Sequence, residues 1–137
     1  MRIVLVINIL SLWGVFRVAR SCTLTSQYDV SIISNLPPNT PELSMTCWSK
    51  DDNLGKHTLA PGQNYSFSFC ESAWGTSKFT CHVWWINGKD KTFDVYDSDW
   101  DNEPCDKSDH CYWFVQADGI YFANRNPPRR LEIVYPW

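Results

Sequence analysis

The sequence predicts an all-β fold, a small antiparallel β-sandwich of two sheets that is stabilised by disulfide bonds. Apolar and polar residues alternate with period two over much of the chain, which is typical of half-buried strands. Turn-forming dipeptides recur between these segments, as they do in sandwiches and barrels. Six cysteines in 137 residues are typical of a disulfide framework in an exported chain.

Seven segments carry the alternation, and no segment after residue 21 shows a helical period over two turns. Asn87-Gly88 and Asp118-Gly119 predict tight hairpins, because both residues of such a turn must accept a positive φ. Pro61-Gly62 marks a further turn. We expect seven to nine strands in one domain, residues 22–137. The seven predicted strands are 29–35, 43–49, 64–71, 78–86, 93–96, 111–116 and 131–135.

The first 21 residues are predicted to be a signal peptide. Arg2 precedes an apolar run from Ile3 to Phe16, and Ala19 and Ser21 supply the small residues that favour cleavage before Cys22. The alternative is an uncleaved anchor or a buried helix, but a membrane span needs roughly 20 apolar residues. The mature protein is therefore expected to be secreted, extracellular and not embedded in a membrane.

Charge excludes one class of partner. The formal net charge is −3, and cleavage removes three of the 12 basic residues and no acidic one. The mature chain then has nine basic and 15 acidic residues, a net charge of −6. A chain-wide basic surface of the kind that binds nucleic acid is absent from this sequence.

The cysteines separate by strand face. Cys47, Cys81 and Cys111 lie on apolar faces, whereas Cys70 shares a face with serines and Cys22 lies at the new N-terminus. We predict an outlying Cys22–Cys70 bond. Among the 15 pairings that six cysteines allow, we favour Cys47–Cys111 and Cys81–Cys105 for the others. No Cys-x-x-Cys pair occurs, so we predict no zinc site and no cofactor.

Several motifs resemble the plant self-incompatibility protein family, also called S-protein homologues. The block Ser49-Lys50-Asp51-Asp52-Asn53-Leu54-Gly55 after Cys47 is the most specific, and Asp118-Gly119-Ile120-Tyr121 is the second. Phe79, Cys81, Trp84-Trp85 and Cys111-Tyr112-Trp113 fall between them in the family's order. The resemblance runs from about Val30 to Tyr121.

The resemblance implies a small secreted β-sandwich with four shared cysteines, here Cys47, Cys81, Cys105 and Cys111; Cys22 and Cys70 depart from that pattern. The best-understood members are pistil ligands that a pollen membrane protein recognises, with calcium influx and death of self pollen as the result. Most homologues are not determinants of self-incompatibility. We therefore expect an extracellular ligand of a cell-surface membrane protein, with pollen recognition as one process open to it.

An acidic segment is the first candidate for partner binding. Residues 97–109 contain six acidic residues and one lysine, and the resemblance implies that the loop before the last cysteine pair recognises the partner. Trp100 offers an aromatic anchor among acids, so the candidates are Asp97, Asp99, Trp100 and Asp101. Asp97-x-Asp99-x-Asp101 also resembles the start of an EF-hand, but Asn102 and Ser108 stand where that loop needs Gly and Glu. A solvated acidic loop is the other alternative.

Outward-facing aromatic residues support a second hypothesis, a module that binds carbohydrate of the cell wall. Alternation places five rings on faces opposite the core, where they could stack on sugars. The alternative is that loops cover them, or that the assignment of faces slips by one residue. The five rings are Trp48, Trp84, Tyr96, Tyr112 and Phe114.

Two further expectations concern modification and catalysis. Asn64-Tyr65-Ser66 is a sequon for N-glycosylation, so we predict Asn64 as a glycan site. We predict no enzyme activity, because the chain lacks a Gly-x-Ser-x-Gly elbow and a His-Glu-x-x-His motif. His57, His82 and His110 lie apart in the sequence. Asp51, Asp52 and Asn53 are interpreted as a turn held by their own side chains.

Overall fold

The computed structural model describes Cys22 and residues 26–71, 77–100 and 110–137. The described residues form nine strands and no helix. Outside these ranges lie the predicted signal peptide, Asp101 and Cys105. The predicted domain boundary at residue 22 lies at their margin. The strands are β1 (Gln27–Ser34), β2 (Leu43–Trp48), β3 (Asn53–Leu59), β4 (Asn64–Cys70), β5 (Lys78–Trp84), β6 (Asp90–Asp97), β7 (His110–Gln116), β8 (Gly119–Ala123) and β9 (Glu132–Pro136).

Two sheets make up the sandwich, as predicted. One sheet has five strands in the order β4-β1-β7-β8-β9, and the other has four in the order β3-β2-β5-β6. The strand pairs are antiparallel with one difference from the prediction, because β1 runs parallel to β7. A parallel pair requires a long connection, and the whole four-stranded sheet and β4 lie between β1 and β7 in the chain.

The core lies between the two sheets and is supplied by alternate residues of each strand. Val30 and Ile32 of β1, Met45 of β2 and Val83 of β5 are completely buried. Trp113 of β7 crosses the core, and its indole Nε1 donates a hydrogen bond to the carbonyl oxygen of Val95 in the other sheet, at 3.0 Å. Burial of these alternating side chains explains why the period-two segments form strands.

The seven predicted strands are all present, and two further strands were not assigned from the sequence. β3 is an edge strand whose exposed and half-buried residues interrupt the alternation. β8 follows the predicted hairpin at Asp118-Gly119, but the turn lies one residue earlier. Gln116 pairs with Gly119, so Ala117 and Asp118 form the turn and Gly119 begins the strand. At Asn87-Gly88 the prediction holds, since φ is 59° and 68° at these residues.

The cysteine pairing confirms one prediction and corrects two. Cys22 is bonded to Cys70, as predicted. Cys47 is bonded to Cys81, with a Cα–Cα distance of 4.1 Å, so the predicted bonds Cys47–Cys111 and Cys81–Cys105 are wrong. The reason is strand adjacency, because Cys47 and Cys81 lie directly opposite each other on β2 and β5. Cys111 belongs to the other sheet and is also disulfide-bonded.

Two of the five rings predicted on outer faces are buried. Tyr96 is completely buried, because a register shift between Phe79 and Thr80 against β6 adds one residue and turns Tyr96 into the core beside Val95. Phe114 does point away from the core, but it is only 5% exposed. It lies in the middle strand of its sheet, between Ile33 and Tyr121 in register.

Candidate recognition surface

The predicted partner-binding loop begins where β6 ends. Asp97 Oδ1 accepts a hydrogen bond from the backbone N–H of Asp99 at 2.9 Å, and the N–H of Trp100 reaches the carbonyl oxygen of Asp97 at 3.2 Å. Asp97 therefore shapes the turn, whereas the carboxylate of Asp99 is exposed. Asp101, the fourth candidate, lies outside the described residues.

Trp100 differs from the free aromatic anchor that the sequence suggested. Its ring is partly buried and packs against the core cluster, with its centroid 6.2 Å from that of Tyr96. Part of the indole surface is therefore already used inside the protein. The exposed remainder can still contact a partner, but removal of the ring would also disturb the packing around Tyr96.

A second turn lies at the same end of the sandwich. The side chain of Ser49 accepts a hydrogen bond from the N–H of Asp52 at 3.1 Å, and Asn53 Oδ1 accepts one from the N–H of Gly55 at 2.9 Å. Ser49 and Asn53 thus hold this turn, in part as interpreted from the sequence. Asp51 and Asp52 are exposed.

Strand register brings the two turns together. Trp48 pairs with Thr80, Lys78 pairs with Asp97, and the N–H of Ser98 donates to the carbonyl oxygen of Ser77 at 3.0 Å. We call residues 49–52, 77–78 and 97–100 the loop end of the sandwich. Residues that are nearly 50 positions apart in the chain therefore share one surface.

A cleft opens at the loop end between the two sheets. Its volume is about 730 Å³, which is in the range of ligand and peptide sites. Phe69 and Phe79 supply apolar walls, and Lys50 and Lys78 stand among the acidic residues of the rim. The loop end thus combines a partly apolar recess with charged side chains, an arrangement suited to a protein partner.

The outer face of the five-stranded sheet carries a polar cluster that the sequence analysis missed. Ser31 Oγ lies 2.8 Å from His110 Nε2 and 2.7 Å from Ser66 Oγ. The hydroxyl of Tyr112 lies 3.1 Å from His110 Nδ1. Only the three-dimensional pairing of β4, β1 and β7 could reveal the cluster, because Ser31 and His110 are 79 residues apart.

Among the described residues, this cluster lacks the arrangement of a catalytic triad. In a triad a carboxylate orients the imidazole nitrogen that is remote from the serine, but here Tyr112 occupies that position, and Ser31 is only 4% exposed. Partial burial lowers the pKa of His110, and the negative charge of Asp29 opposes this effect. The other two histidines lie elsewhere: His57 stacks on Tyr65, and His82 is on the four-stranded sheet.

The predicted glycan site lies at the start of an edge strand. Asn64 is exposed, begins β4 and pairs with Ile33 of β1, so an attached glycan would stand beside the outer face of the five-stranded sheet. Ser66, the hydroxyl residue of the sequon, points to the same face as Asn64 and contacts Ser31. Glycosylation of Asn64 stays a prediction.

Neither a metal-binding cluster nor a membrane-spanning helix occurs in the described ranges. Within those ranges, no three histidine, cysteine, aspartate or glutamate side chains are grouped as a metal site would require. Nor do the same ranges include a helix that is long and apolar enough to cross a membrane.

Together, the fold and the site define a class: a disulfide-bonded β-sandwich with its charged loops gathered at one end. The family model of plant self-incompatibility protein S1 matches residues 29–137, so the chain belongs to this family and the resemblance noted from its motifs is confirmed. S-protein homolog 29 of Arabidopsis thaliana is 37% identical over 108 residues, 79% of this chain and 76% of the relative. S-protein homolog 20 of the same plant is 33% identical over 127 residues, 90% of this chain and 85% of the relative.

A solved structure shares the fold. It represents the self-incompatibility protein homologues, described as a widespread family of small, highly stable, secreted proteins from plants. The TM-score is 0.63 at 23% identity, with 82% of this chain and 96% of that chain covered. Disulfide bonds are typical of proteins outside the cytosol, and the bonds at Cys22–Cys70 and Cys47–Cys81 fit a secreted member of this plant family.

Proposed function

We propose that the mature protein is an extracellular ligand that binds a cell-surface membrane protein through the loop end of the sandwich. It acts by binding rather than by catalysis, and pollen recognition is one process in which such a ligand would serve. The observation that carries the proposal is that strand register places the Asp97–Trp100 turn beside Ser77 and Lys78, at the end of the sandwich where the 49–52 turn lines the cleft.

Charge suggests the chemistry of the partner. Asp51, Asp52, Asp97 and Asp99 all lie at the loop end, against two lysines, Lys50 and Lys78. Acidic surfaces attract basic ones, and this attraction raises the association rate more than it lowers the dissociation rate. The proposed partner therefore presents a basic surface, and its binding weakens as salt concentration rises.

Asp99 is the residue with which to test the proposal. Its carboxylate is exposed, so reversal of its charge leaves the core intact, whereas replacement of Trp100 would disturb Tyr96. Glu42 is the matched control, because it is exposed and precedes β2 at the opposite end of the sandwich. Asp99→Lys and Glu42→Lys make the same change in net charge.

The experiment applies oxidised mature protein to living plant cells, pollen among them, after digestion of their wall glycans. Saturable binding and cytosolic calcium are recorded at low and high salt. We expect Asp99→Lys to weaken binding by about tenfold at low salt, and Glu42→Lys to leave it nearly unchanged. Equal effects of the two variants would show that the loop end is not the binding surface. Loss of all binding on glycan digestion would contradict a protein partner.

A further inference from the structure

The outer face of the four-stranded sheet carries aromatic side chains that the proposed ligand function does not use. Trp48 is 37% exposed and belongs to the few large apolar side chains that are exposed among the described residues. Trp84 is half-buried on the same face, on the neighbouring strand β5. Both were predicted from the sequence to face outward, and both do.

The two indoles frame a row of polar side chains. In register, Trp48 lies opposite Thr80, Thr46 lies opposite His82, and Ser44 lies opposite Trp84. Trp84 is thus four residues along β5 from Thr80, the residue opposite Trp48. Strand rise and strand spacing then put the two Cα positions about 14 Å apart. Thr46 and His82, which occupy the row between them, supply a hydroxyl and an imidazole.

Two side chains of the same face lie against the ring of Trp84. The ammonium of Lys56, an exposed residue on β3, lies 5.7 Å from the centroid of this ring. The imidazole of His82, which belongs to the row, lies 4.9 Å from the same centroid. The C–H groups on the face of a sugar ring are electropositive like the ammonium of Lys56, so they can take its place against the same π surface.

The charged side chains of this face give it no excess of positive charge. Asp90 lies 3.7 Å from His82, and Asp94 lies 3.6 Å from Lys78 and accepts a hydrogen bond from Thr80. With Lys56, and with Asp97 opposite Lys78, the face holds two lysines against three aspartates. A polyanionic glycan would meet no net attraction here and would be repelled by the acidic remainder of the chain. A neutral glycan would meet no such repulsion.

We propose that the outer face of the four-stranded sheet binds a neutral, β-linked polysaccharide chain. Trp48 and Trp84 stack on pyranose rings, and Thr46, His82 and Asp90 exchange hydrogen bonds with the hydroxyl groups between them. An open sheet face with two aromatic rings about 14 Å apart along the strands can contact several successive sugar rings of an extended chain. This activity is additional to the proposed ligand function, and its surface meets the loop end only at Trp48 and Lys78.

The test measures cellohexaose binding by oxidised mature protein, through titration calorimetry and tryptophan fluorescence, with oligogalacturonate as the acidic probe. The variant is Trp84→Ala, because Trp84 is remote from the loop end, whereas Trp48 also lines the cleft. Tyr121→Ala is the control, a half-buried aromatic residue on the outer face of the other sheet. Thermal unfolding of each variant verifies the fold, and Trp84→Phe retains an aromatic ring if the alanine variant is unstable.

We expect saturable binding of cellohexaose, at least about tenfold weaker in Trp84→Ala, partly retained in Trp84→Phe and unchanged in Tyr121→Ala. No binding of cellohexaose, or binding that Trp84→Ala leaves intact, would overturn the proposal. Preference for oligogalacturonate would overturn the neutral class. Because Asp99→Lys leaves this surface intact, failure here and failure of the ligand function are distinguishable.

Discussion

At the scale of single residues, the protonation of His110 affects the stability of the folded state. Its ring touches Ser31 and Tyr112, and partial burial lowers its pKa below the ordinary value of 6.5. In the unfolded chain the imidazole would take up a proton at a higher pH than in the folded protein. The folded state therefore gains stability from this residue above pH 6.5 and loses it as the pH falls through the lowered pKa.

The lowered pKa of His110 predicts the effect of His110→Gln on stability. Between pH 7 and pH 5 the wild type should lose more stability than the variant does, because the variant has no imidazole to protonate. Urea unfolding at a series of pH values measures the difference. His82→Gln is the control, since His82 is on the other sheet and near Asp90. An identical pH dependence in wild type and His110→Gln would exclude the proposed coupling.

Tyr96 illustrates what a residue-by-residue interpretation of alternation can miss. Strict alternation from Phe93 placed Tyr96 on the outer face, but Val95 and Tyr96 are both completely buried. One extra residue at the β-bulge turns the side chain inward, where the Tyr96 hydroxyl bonds to Glu71. The sequence alone has no signal for a bulge at this position, because the bulge depends on the partner strand.

At the scale of elements, the two described disulfide bonds hold different parts of the sandwich. Cys47–Cys81 joins two central strands of the four-stranded sheet, and both residues are completely buried. Cys22–Cys70 ties the segment before β1 to the end of β4, where Cys70 is exposed. By loop entropy either bond could contribute up to about 4 kcal/mol, but only the first also fills space in the core.

We therefore predict unequal effects of the two paired substitutions. Cys47→Ala with Cys81→Ala should lower the free energy of unfolding by more than Cys22→Ala with Cys70→Ala, since it also leaves a cavity. The second pair should leave a folded, less stable and still secreted protein. Chemical denaturation of both variants, with the secreted yield, provides the comparison. A larger loss from the Cys22 and Cys70 pair would refute the peripheral role of that bond.

At the scale of the whole molecule, a few aromatic side chains fasten the two sheets together. Trp113 of the five-stranded sheet donates its indole N–H to Val95 of the other sheet, and its ring lies 5.1 Å from that of Phe93. Tyr135 of β9 contacts both of these rings. These contacts fix how the two sheets lie on each other.

Trp113→Phe tests this role, with Trp137→Phe as the matched control. Both changes remove an indole N–H that bonds to a backbone carbonyl. Trp113 is 3% exposed and bonds across the two sheets, whereas the half-buried Trp137 bonds only within the five-stranded sheet. We expect a loss of about 2–4 kcal/mol for Trp113→Phe and about 1 kcal/mol for Trp137→Phe in urea unfolding. Equal losses would show that the Trp113 contact between the sheets stabilises the fold no more than the Trp137 hydrogen bond does.

The sequence by itself determined the fold class, the seven strongest strands, the family and the outlying Cys22–Cys70 bond. Alternation, turn dipeptides and motifs are local patterns, so they can be recognised without knowing which strands are neighbours. The tertiary structure decided which strands are neighbours. It therefore decided the Cys47–Cys81 pairing, the inward turn of Tyr96, the parallel pairing of β1 with β7 and the position of residues 49–52 and 97–100 at one end of the sandwich. Each depends on the pairing of segments that are distant in the chain.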